Sequence, residues 1–141
     1  MNPQEKSARL PDVLVIDDNP AQLSARRQVL RHAGFSVLTA ASAERALQLL
    51  RDRPSTGLKV ILTDHVLPGA NGDTFVRQLR LLKPTVPVLV ISGMPEAEPQ
   101  YAGLDIKFLH KPCDPEDLIA EVRTAMRSSH PLLDPGLKRA S

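Results

Sequence analysis

The chain has 141 residues, which is enough for one hydrophobic core and too few for two independent ones. Its net charge of +2 and its scattered basic residues argue against nucleic acid or an anionic membrane as the main partner. Cys113 is the only cysteine, so an internal disulfide is excluded, and no apolar run approaches the ~18 residues of a membrane span. We therefore expect a soluble, cytoplasmic protein.

The first predicted elements are a strand and a helix. Val13–Ile16 is a continuous aliphatic run, typical of a strand buried on both faces of a parallel sheet, and it ends in the acids Asp17-Asp18. Asn19-Pro20 predicts a helix N-cap followed by proline in the first turn. We expect this helix to end at Gly34, a residue that readily adopts the left-handed conformation.

Two more strands and a helix follow. The strands are predicted at Val37–Thr39 and Val60–Thr63, and the second one again ends in an acid, Asp64. Between them, Ser42 is expected to cap a helix. Apolar residues at helical spacing form the predicted inner face of that helix: Ala43, Ala46, Leu47 and Leu50.

The second half continues the alternation after a loop at Val66–Gly72. A third helix is predicted to end at Lys83-Pro84, and a fourth strand at Val86–Ile91 is broken by Ser92-Gly93. A fifth strand at Ile106–Leu109 precedes the last helix. The predicted inner faces of the two helices are Phe75, Val76, Leu79 and Leu82, and Leu118, Ile119, Val122, Ala125 and Met126.

The segment Met94–Gly103 interrupts this pattern. Pro95 and Pro99 are four residues apart and do not both fit one α-helix, because the second proline clashes with the carbonyl of the first. We expect a loop here, or at most one helical turn after Pro99. The chain as a whole predicts a doubly wound α/β domain with five parallel strands. We assign residues 12–127 to the domain, 1–11 to an N-terminal arm and 128–141 to a C-terminal tail.

Polar side chains cluster where the predicted strands end. Asp17-Asp18, Asp64, Ser92 and Lys111 each follow or close a strand, and ligand sites in such sheets lie beyond these ends. Three carboxylates brought together there repel one another unless a cation joins them, and oxygen ligands favour a hard ion such as Mg²⁺. With a lysine and a hydroxyl beside them, they predict a site for a small, highly charged anion such as a phosphoryl group.

Four motifs carry a family resemblance. They are Val15-Ile16-Asp17-Asp18, Leu62-Thr63-Asp64 followed by Leu67-Pro68-Gly69-Ala70-Asn71-Gly72, Val90-Ile91-Ser92-Gly93, and Phe108-Leu109-His110-Lys111-Pro112. In this order and at these strand ends, the sequence resembles the receiver domains of two-component response regulators. The resemblance implies a flavodoxin-like, chemotaxis-regulator-like fold of strand order 2-1-3-4-5, here with a shortened or broken fourth helix.

The resemblance also implies roles for the clustered residues. Asp64 would accept the phosphoryl group by nucleophilic attack on phosphorus. Asp18, Asp64 and the backbone carbonyl of Val66 would bind Mg²⁺, with Asp17 acting largely through a water. Lys111 and Ser92 would contact phosphoryl oxygens.

Two further features are implied. Phe108 holds the position of the family's aromatic switch, which turns inward when the Ser92 loop closes, and Lys111-Pro112 matches a cis peptide.

Other interpretations stay open for several of these residues. Asp17-Asp18 alone is typical of a solvated helix start, and Phe108 of a core aromatic. His65 and His110 flank key residues, but strand alternation directs them away from the site. Cys113 is interpreted as an ordinary loop cysteine. On the first helix, three arginines could dock a kinase or form a solvated face: Arg26, Arg27 and Arg31.

The chain departs from the family pattern in two places. The proline-broken segment puts the usual dimer and output surface in doubt, so we hypothesise signalling through another face or a remodelled loop. Val66 and Met94 stand two residues after Asp64 and Ser92, where polar side chains could orient a water for attack on the acyl phosphate. Since both are apolar, we expect slow self-dephosphorylation.

The predicted function is a signalling switch and not an enzyme in the usual sense. Its expected partners are a sensor histidine kinase or histidine phosphotransfer protein and an unknown downstream protein, without direct contact to nucleic acid or membrane. The alternative is the receiver portion of a hybrid sensor kinase or larger regulator. A haloacid-dehalogenase-like phosphatase would need an acid where Val66 stands, and a nucleotide-binding switch would need a glycine-rich phosphate loop.

Overall fold

The computed structural model describes residues 11–52, 57–82 and 85–127, over which strands and helices alternate. The predicted tail, all of the predicted arm except Pro11, and the predicted helix end at Lys83-Pro84 lie outside these ranges. The elements are β1 (Val13–Ile16), α1 (Pro20–His32), β2 (Val37–Ala40), α2 (Ala43–Asp52), β3 (Val60–Asp64), α3 (Gly72–Leu82), β4 (Val88–Ser92), the 3-10 helix η1 (Pro95–Tyr101), β5 (Lys107–His110) and α4 (Pro115–Arg127).

The five strands form one parallel sheet in the order β2-β1-β3-β4-β5, which confirms the predicted topology. Successive side chains of β1 enter different hydrophobic layers: Leu14 and Ile16 pack with α2, α3 and η1, whereas Val13 and Val15 pack with α1 and α4. Both faces of the central strands are therefore covered, as their continuous apolar sequences predict.

The predicted helix caps are also present. The Asn19 side chain accepts hydrogen bonds from the N–H groups of Ala21 and Gln22, and the Ser42 hydroxyl accepts one from Arg45. Gly34 follows α1 with a φ of +100°, a conformation that costs glycine little. These local signals fix where α1 begins and ends and where α2 begins.

Strand β4 begins at Val88, two residues later than predicted. Pro87 has no N–H to donate, although its carbonyl still accepts from the N–H of Ile61. The carbonyl of Val86 accepts from the guanidinium of Arg80 instead of a neighbouring strand.

The prediction for Leu82 was also wrong. This last residue of α3 is 38% exposed and lies beyond the buried face, which is formed by the residues one and two turns earlier.

The segment after β4 is helical over seven residues, so the expectation of a loop or a single turn after Pro99 was wrong. A 3-10 helix uses hydrogen bonds three residues apart, as between the Ala97 N–H and the Met94 carbonyl, and it is stable in short pieces. The proline clash that excludes an α-helix therefore does not apply in the same form. Its inner residues, Ala97 and Tyr101, are buried, and η1 replaces a full fourth α-helix.

We expect Gly72→Ala to lower the free energy of unfolding by about 1–3 kcal/mol, as overpacking does in a tight site. A Cβ at Gly72 would meet the Tyr101 hydroxyl, the Asp64 carbonyl oxygen at 3.0 Å and the His65 Cα at 3.3 Å. Urea unfolding measures the change. The matched control is Gly93→Ala, where the nearest atom is the Lys111 Cβ at 3.8 Å. Equal unfolding midpoints for the two variants would contradict the prediction.

Candidate functional site

The sheet register brings the predicted site residues to one edge. Asp17 follows β1, Asp64 and Ser92 close β3 and β4, and Lys111 follows β5. Since β1, β3, β4 and β5 are consecutive neighbours in the sheet, these side chains meet at its carboxyl end. Asp17, Asp18 and Asp64 each offer an oxygen, and these oxygens lie within 4.8 Å of one another.

Asp17 is fully buried, and both of its carboxylate oxygens are engaged. Oδ1 accepts the N–H of Asn19 at 2.9 Å, and Oδ2 accepts Nη1 of Arg26 at 2.8 Å. Burial raises the pKa of the Asp17 carboxyl above its ordinary value. The Asn19 N–H and Arg26 lower that pKa, and the nearby Asp64 carboxylate raises it. The site therefore holds this carboxylate against a substantial desolvation cost.

Asp64 is buried as well, and it pairs with Lys111. The Lys111 ammonium lies 3.1 Å from Oδ1 of Asp64. The contact is an ion pair and not an aligned hydrogen bond, since Oδ1 has no hydrogen-bond partner among the described residues. A buried carboxylate oxygen that has an ion pair but no hydrogen bond is a candidate metal ligand. Together with the neighbouring carboxylates, it makes the acidic pocket chemically suited to a hard divalent cation.

Arg26 is the site residue that sequence reasoning missed. Its side chain is only 12% exposed, and Nη1 lies 3.9 Å from Oδ1 of Asp64 in addition to its bond to Asp17. Gln22, one turn earlier on α1, accepts from Nη2 at 3.0 Å. The available signal was this four-residue spacing on a helix that starts directly beside the acids. Arg27 and Arg31 are exposed, in line with the solvated-face interpretation.

Ser92 closes β4, and Phe108 lies on the neighbouring strand β5. Ser92 is buried, and its hydroxyl accepts the N–H of Met94 at 2.9 Å. Phe108 is 8% exposed, with its ring centroid 5.9 Å from that of Tyr101 and 5.2 Å from that of His110. The aromatic ring at this position is therefore already inside, packed against η1. The Lys111-Pro112 peptide is cis, as the resemblance implied.

His65 points to the opposite side of β3 from Asp64 and into the protein, as the alternation predicts. It is buried, and its Nδ1 lies 2.6 Å from the hydroxyl of Tyr101 in η1. Burial raises the pKa of Tyr101, with further contributions from Asp73 and Asp64, so the phenol keeps its proton and forms a neutral hydrogen bond with the ring nitrogen. His110 is exposed, 3.8 Å from Glu98.

Cys113 carries no sign of activation. Burial raises the pKa of its thiol, and the nearby Asp117 and Glu121 carboxylates raise it further. The interpretation as an ordinary cysteine therefore agrees with the electrostatics around it.

Comparison with known proteins identifies the family. A family model of the response regulator receiver domain matches residues 13–123. The chain is 36% identical over 120 residues to the hydrogenase transcriptional regulatory protein HoxA of Cupriavidus necator, covering 82% of this chain and 24% of that protein. It is 30% identical over 125 residues to the transcriptional regulatory protein AruR of Pseudomonas aeruginosa, covering 85% and 51%.

Solved structures agree with this assignment. A response regulator receiver domain protein from Clostridium thermocellum superposes with a TM-score of 0.78 at 24% identity, covering 89% of this chain and 98% of that one. The receiver domain of the hybrid histidine kinase CckA gives 0.69 at 30% identity, covering 84% and 98%.

The chain belongs to the response regulator receiver domain family of two-component signalling, whose members are signalling receivers and not classical enzymes. It spans about a quarter and about half of the lengths of the curated relatives named above. No helix within the described ranges is long and apolar enough to cross a membrane.

We expect Tyr101→Phe to lower the free energy of unfolding by about 1–3 kcal/mol, because it leaves the buried Nδ1 of His65 without its partner while keeping the aromatic ring. Urea unfolding measures the change. A double-mutant cycle with His65→Ala tests the cause, since two substitutions that remove the same bond should have less than additive effects. Additive effects of the two substitutions would contradict this explanation.

Proposed function

We propose that Asp64 accepts a phosphoryl group from a histidine kinase or histidine phosphotransfer protein, and that this step switches the domain between two signalling states. The observation that carries the proposal is the Asp64–Lys111 ion pair of 3.1 Å inside the acidic cluster, with Oδ1 of Asp64 otherwise free of hydrogen bonds among the described residues. A carboxylate held next to a fixed ammonium is suited both to attack phosphorus and to keep the product's charge balanced.

In the proposed reaction, an Asp64 oxygen forms a bond to phosphorus as the phosphorus–nitrogen bond of the donor's phosphohistidine breaks. The imidazole leaves with the electron pair of that bond and takes up a proton. The Lys111 ammonium neutralises one phosphoryl oxygen, and the Ser92 hydroxyl donates to another after it releases the Met94 N–H. Positioning and charge stabilisation are the main contributions that a protein makes to phosphoryl transfer.

Magnesium is part of the proposal. Asp18, Asp64 and the backbone carbonyl of Val66 would hold Mg²⁺, with Asp17 linked through a water, and the ion would neutralise charge on the phosphoryl oxygens. Two observations support this assignment: the carboxylate oxygens are clustered, and the buried Oδ1 of Asp64 has no hydrogen bond among the described residues.

The proposed switch consists of Ser92 and Phe108. Because Phe108 is already buried against Tyr101, a movement of the Phe108 side chain would alter the packing of η1 more than it would alter the burial of the ring. This supports a readout that involves the remodelled segment after β4.

The setting of the domain is also a proposal. We assign residues 12–127 to a cytoplasmic receiver that controls a downstream protein without itself contacting nucleic acid or membrane. The alternative is the receiver portion of a larger protein. Two observations favour it: the chain matches only part of transcriptional regulators such as AruR, and it superposes on the receiver of the hybrid kinase CckA.

Incubation with acetyl phosphate and Mg²⁺ tests the proposed acceptor. We expect intact-mass spectrometry to show one added phosphoryl group on the native protein and none on Asp64→Asn, because the amide removes the nucleophile. The control is Asp52→Asn, an exposed aspartate at the end of α2, which should gain the group like the native protein. A native protein without added mass would refute the acceptor role.

Slow self-dephosphorylation is the second expectation. Val66 and Met94, two residues after Asp64 and Ser92, are 53% and 42% exposed, and neither apolar side chain is suited to orient a water by hydrogen bonding. We expect Val66→Asn to shorten the lifetime of the phosphorylated protein about tenfold or more, within the range of a positioned polar group. The loss of phosphoryl mass with time measures it. Leu81→Asn, on the exposed part of α3, controls for general effects. An unchanged lifetime in Val66→Asn would count against the idea.

A further inference from the structure

Arg26 places a fixed positive charge inside the acidic cluster. Nη1 of Arg26 bonds Oδ2 of Asp17 at 2.8 Å and lies 3.9 Å from Oδ1 of Asp64. Nη2 is held at 3.0 Å by the side-chain oxygen of Gln22, so the guanidinium is braced from its own helix. With 12% of its side chain exposed, Arg26 is largely shielded from the water that weakens surface ion pairs.

This contact leaves Asp17 with little capacity for a metal. Oδ1 of Asp17 already accepts the backbone N–H of Asn19, and Oδ2 accepts Arg26. A cation entering the cluster, or a water bound to that cation, must share Oδ2 with the guanidinium or displace it. It must also approach two fixed positive charges, on Arg26 and Lys111, that both lie within 4 Å of Oδ1 of Asp64.

We propose that Arg26 is an internal cation that competes with the divalent metal for the acidic cluster. The guanidinium neutralises Asp17 when no metal is bound, and metal binding requires it to loosen its bond to Asp17. Arg26 therefore lowers the affinity for the metal and sets the metal concentration at which the site is loaded. The inference rests on the proposed function for the identity of the metal as Mg²⁺.

The same geometry allows an opposite role, in which Arg26 would assist loading by helping to order the site. The two roles differ in sign. A competitor tightens metal binding when its charge is removed, because Asp17 is then a buried carboxylate without its counter-ion and a divalent cation restores the balance. An assisting residue weakens metal binding when it is removed.

Isothermal titration of Mg²⁺ into the full chain separates these roles. We expect Arg26→Gln to bind Mg²⁺ about tenfold more tightly than the native protein, a change of about 1.4 kcal/mol. Arg26→Lys keeps the positive charge on a shorter side chain, so its Mg²⁺ affinity should lie between those of the native protein and Arg26→Gln. Arg27→Gln, which removes the neighbouring exposed charge on α1, should match the native protein and control for net charge.

Thermal unfolding gives a second measurement on the same proteins. Because a ligand at free concentration c that binds only the folded state stabilises it by RT ln(1 + c/Kd), a given Mg²⁺ concentration should raise the unfolding temperature of Arg26→Gln more than that of the native protein. If Arg26→Gln does not fold, Gln22→Met replaces it: this change removes the brace on Nη2 and should tighten Mg²⁺ binding by a smaller factor.

The inference would be overturned if Arg26→Gln, or Gln22→Met in its place, bound Mg²⁺ no more tightly than the native protein and Arg27→Gln do. The acceptor role is scored separately, by phosphoryl mass gained from acetyl phosphate. Tighter Mg²⁺ binding in Arg26→Gln, together with a native protein that gains no phosphoryl group, would uphold the competition and refute the proposed function. Phosphoryl transfer to the native protein, with the same Mg²⁺ affinity in Arg26→Gln as in the native protein, would refute the competition and uphold the proposed function.

Discussion

The mutual repulsion of carboxylates at the end of a parallel sheet governs the organisation of this protein. The carboxyl ends of parallel strands all lie at one edge of the sheet. The acids that follow β1 and close β3 are therefore close together. Burial makes that repulsion stronger, because less water screens it. The positive groups around the edge, Lys111 after β5 and Arg26 on α1, are placed where this repulsion must be offset. The fold and the charge balance of the site therefore depend on each other.

Much of this arrangement could be read from the sequence. The uninterrupted aliphatic runs specify strands covered on both faces, and the acids, serine and lysine at their ends specify one shared edge. Local chemistry also predicted the helix starts at Asn19 and Ser42. These features are encoded within a few residues of one another, so pattern and spacing are sufficient to find them.

The misjudged features depend on contacts between distant segments. Arg26 looked like one of three arginines on a solvated helix face, and only the packing of α1 beside β1 turns it toward Asp17. The segment after β4 was expected to be irregular because proline excludes an α-helix, but burial of Ala97 and Tyr101 stabilises a 3-10 helix instead. Val86 was assigned to a strand, yet its carbonyl accepts from Arg80. In each case tertiary context outweighed the local signal.

The bond between His65 and Tyr101 joins the end of β3 to η1. His65 is the residue next to Asp64 in the chain, whereas Tyr101 is the last residue of the 3-10 helix that follows β4. One peptide unit and one hydrogen bond therefore connect the backbone of Asp64 to η1. Free-energy coupling of this kind is reciprocal. If Asp64 is the acceptor, as proposed, a protein whose affinity for η1 changes on phosphorylation would in turn shift the phosphorylation equilibrium of Asp64 by the same free energy.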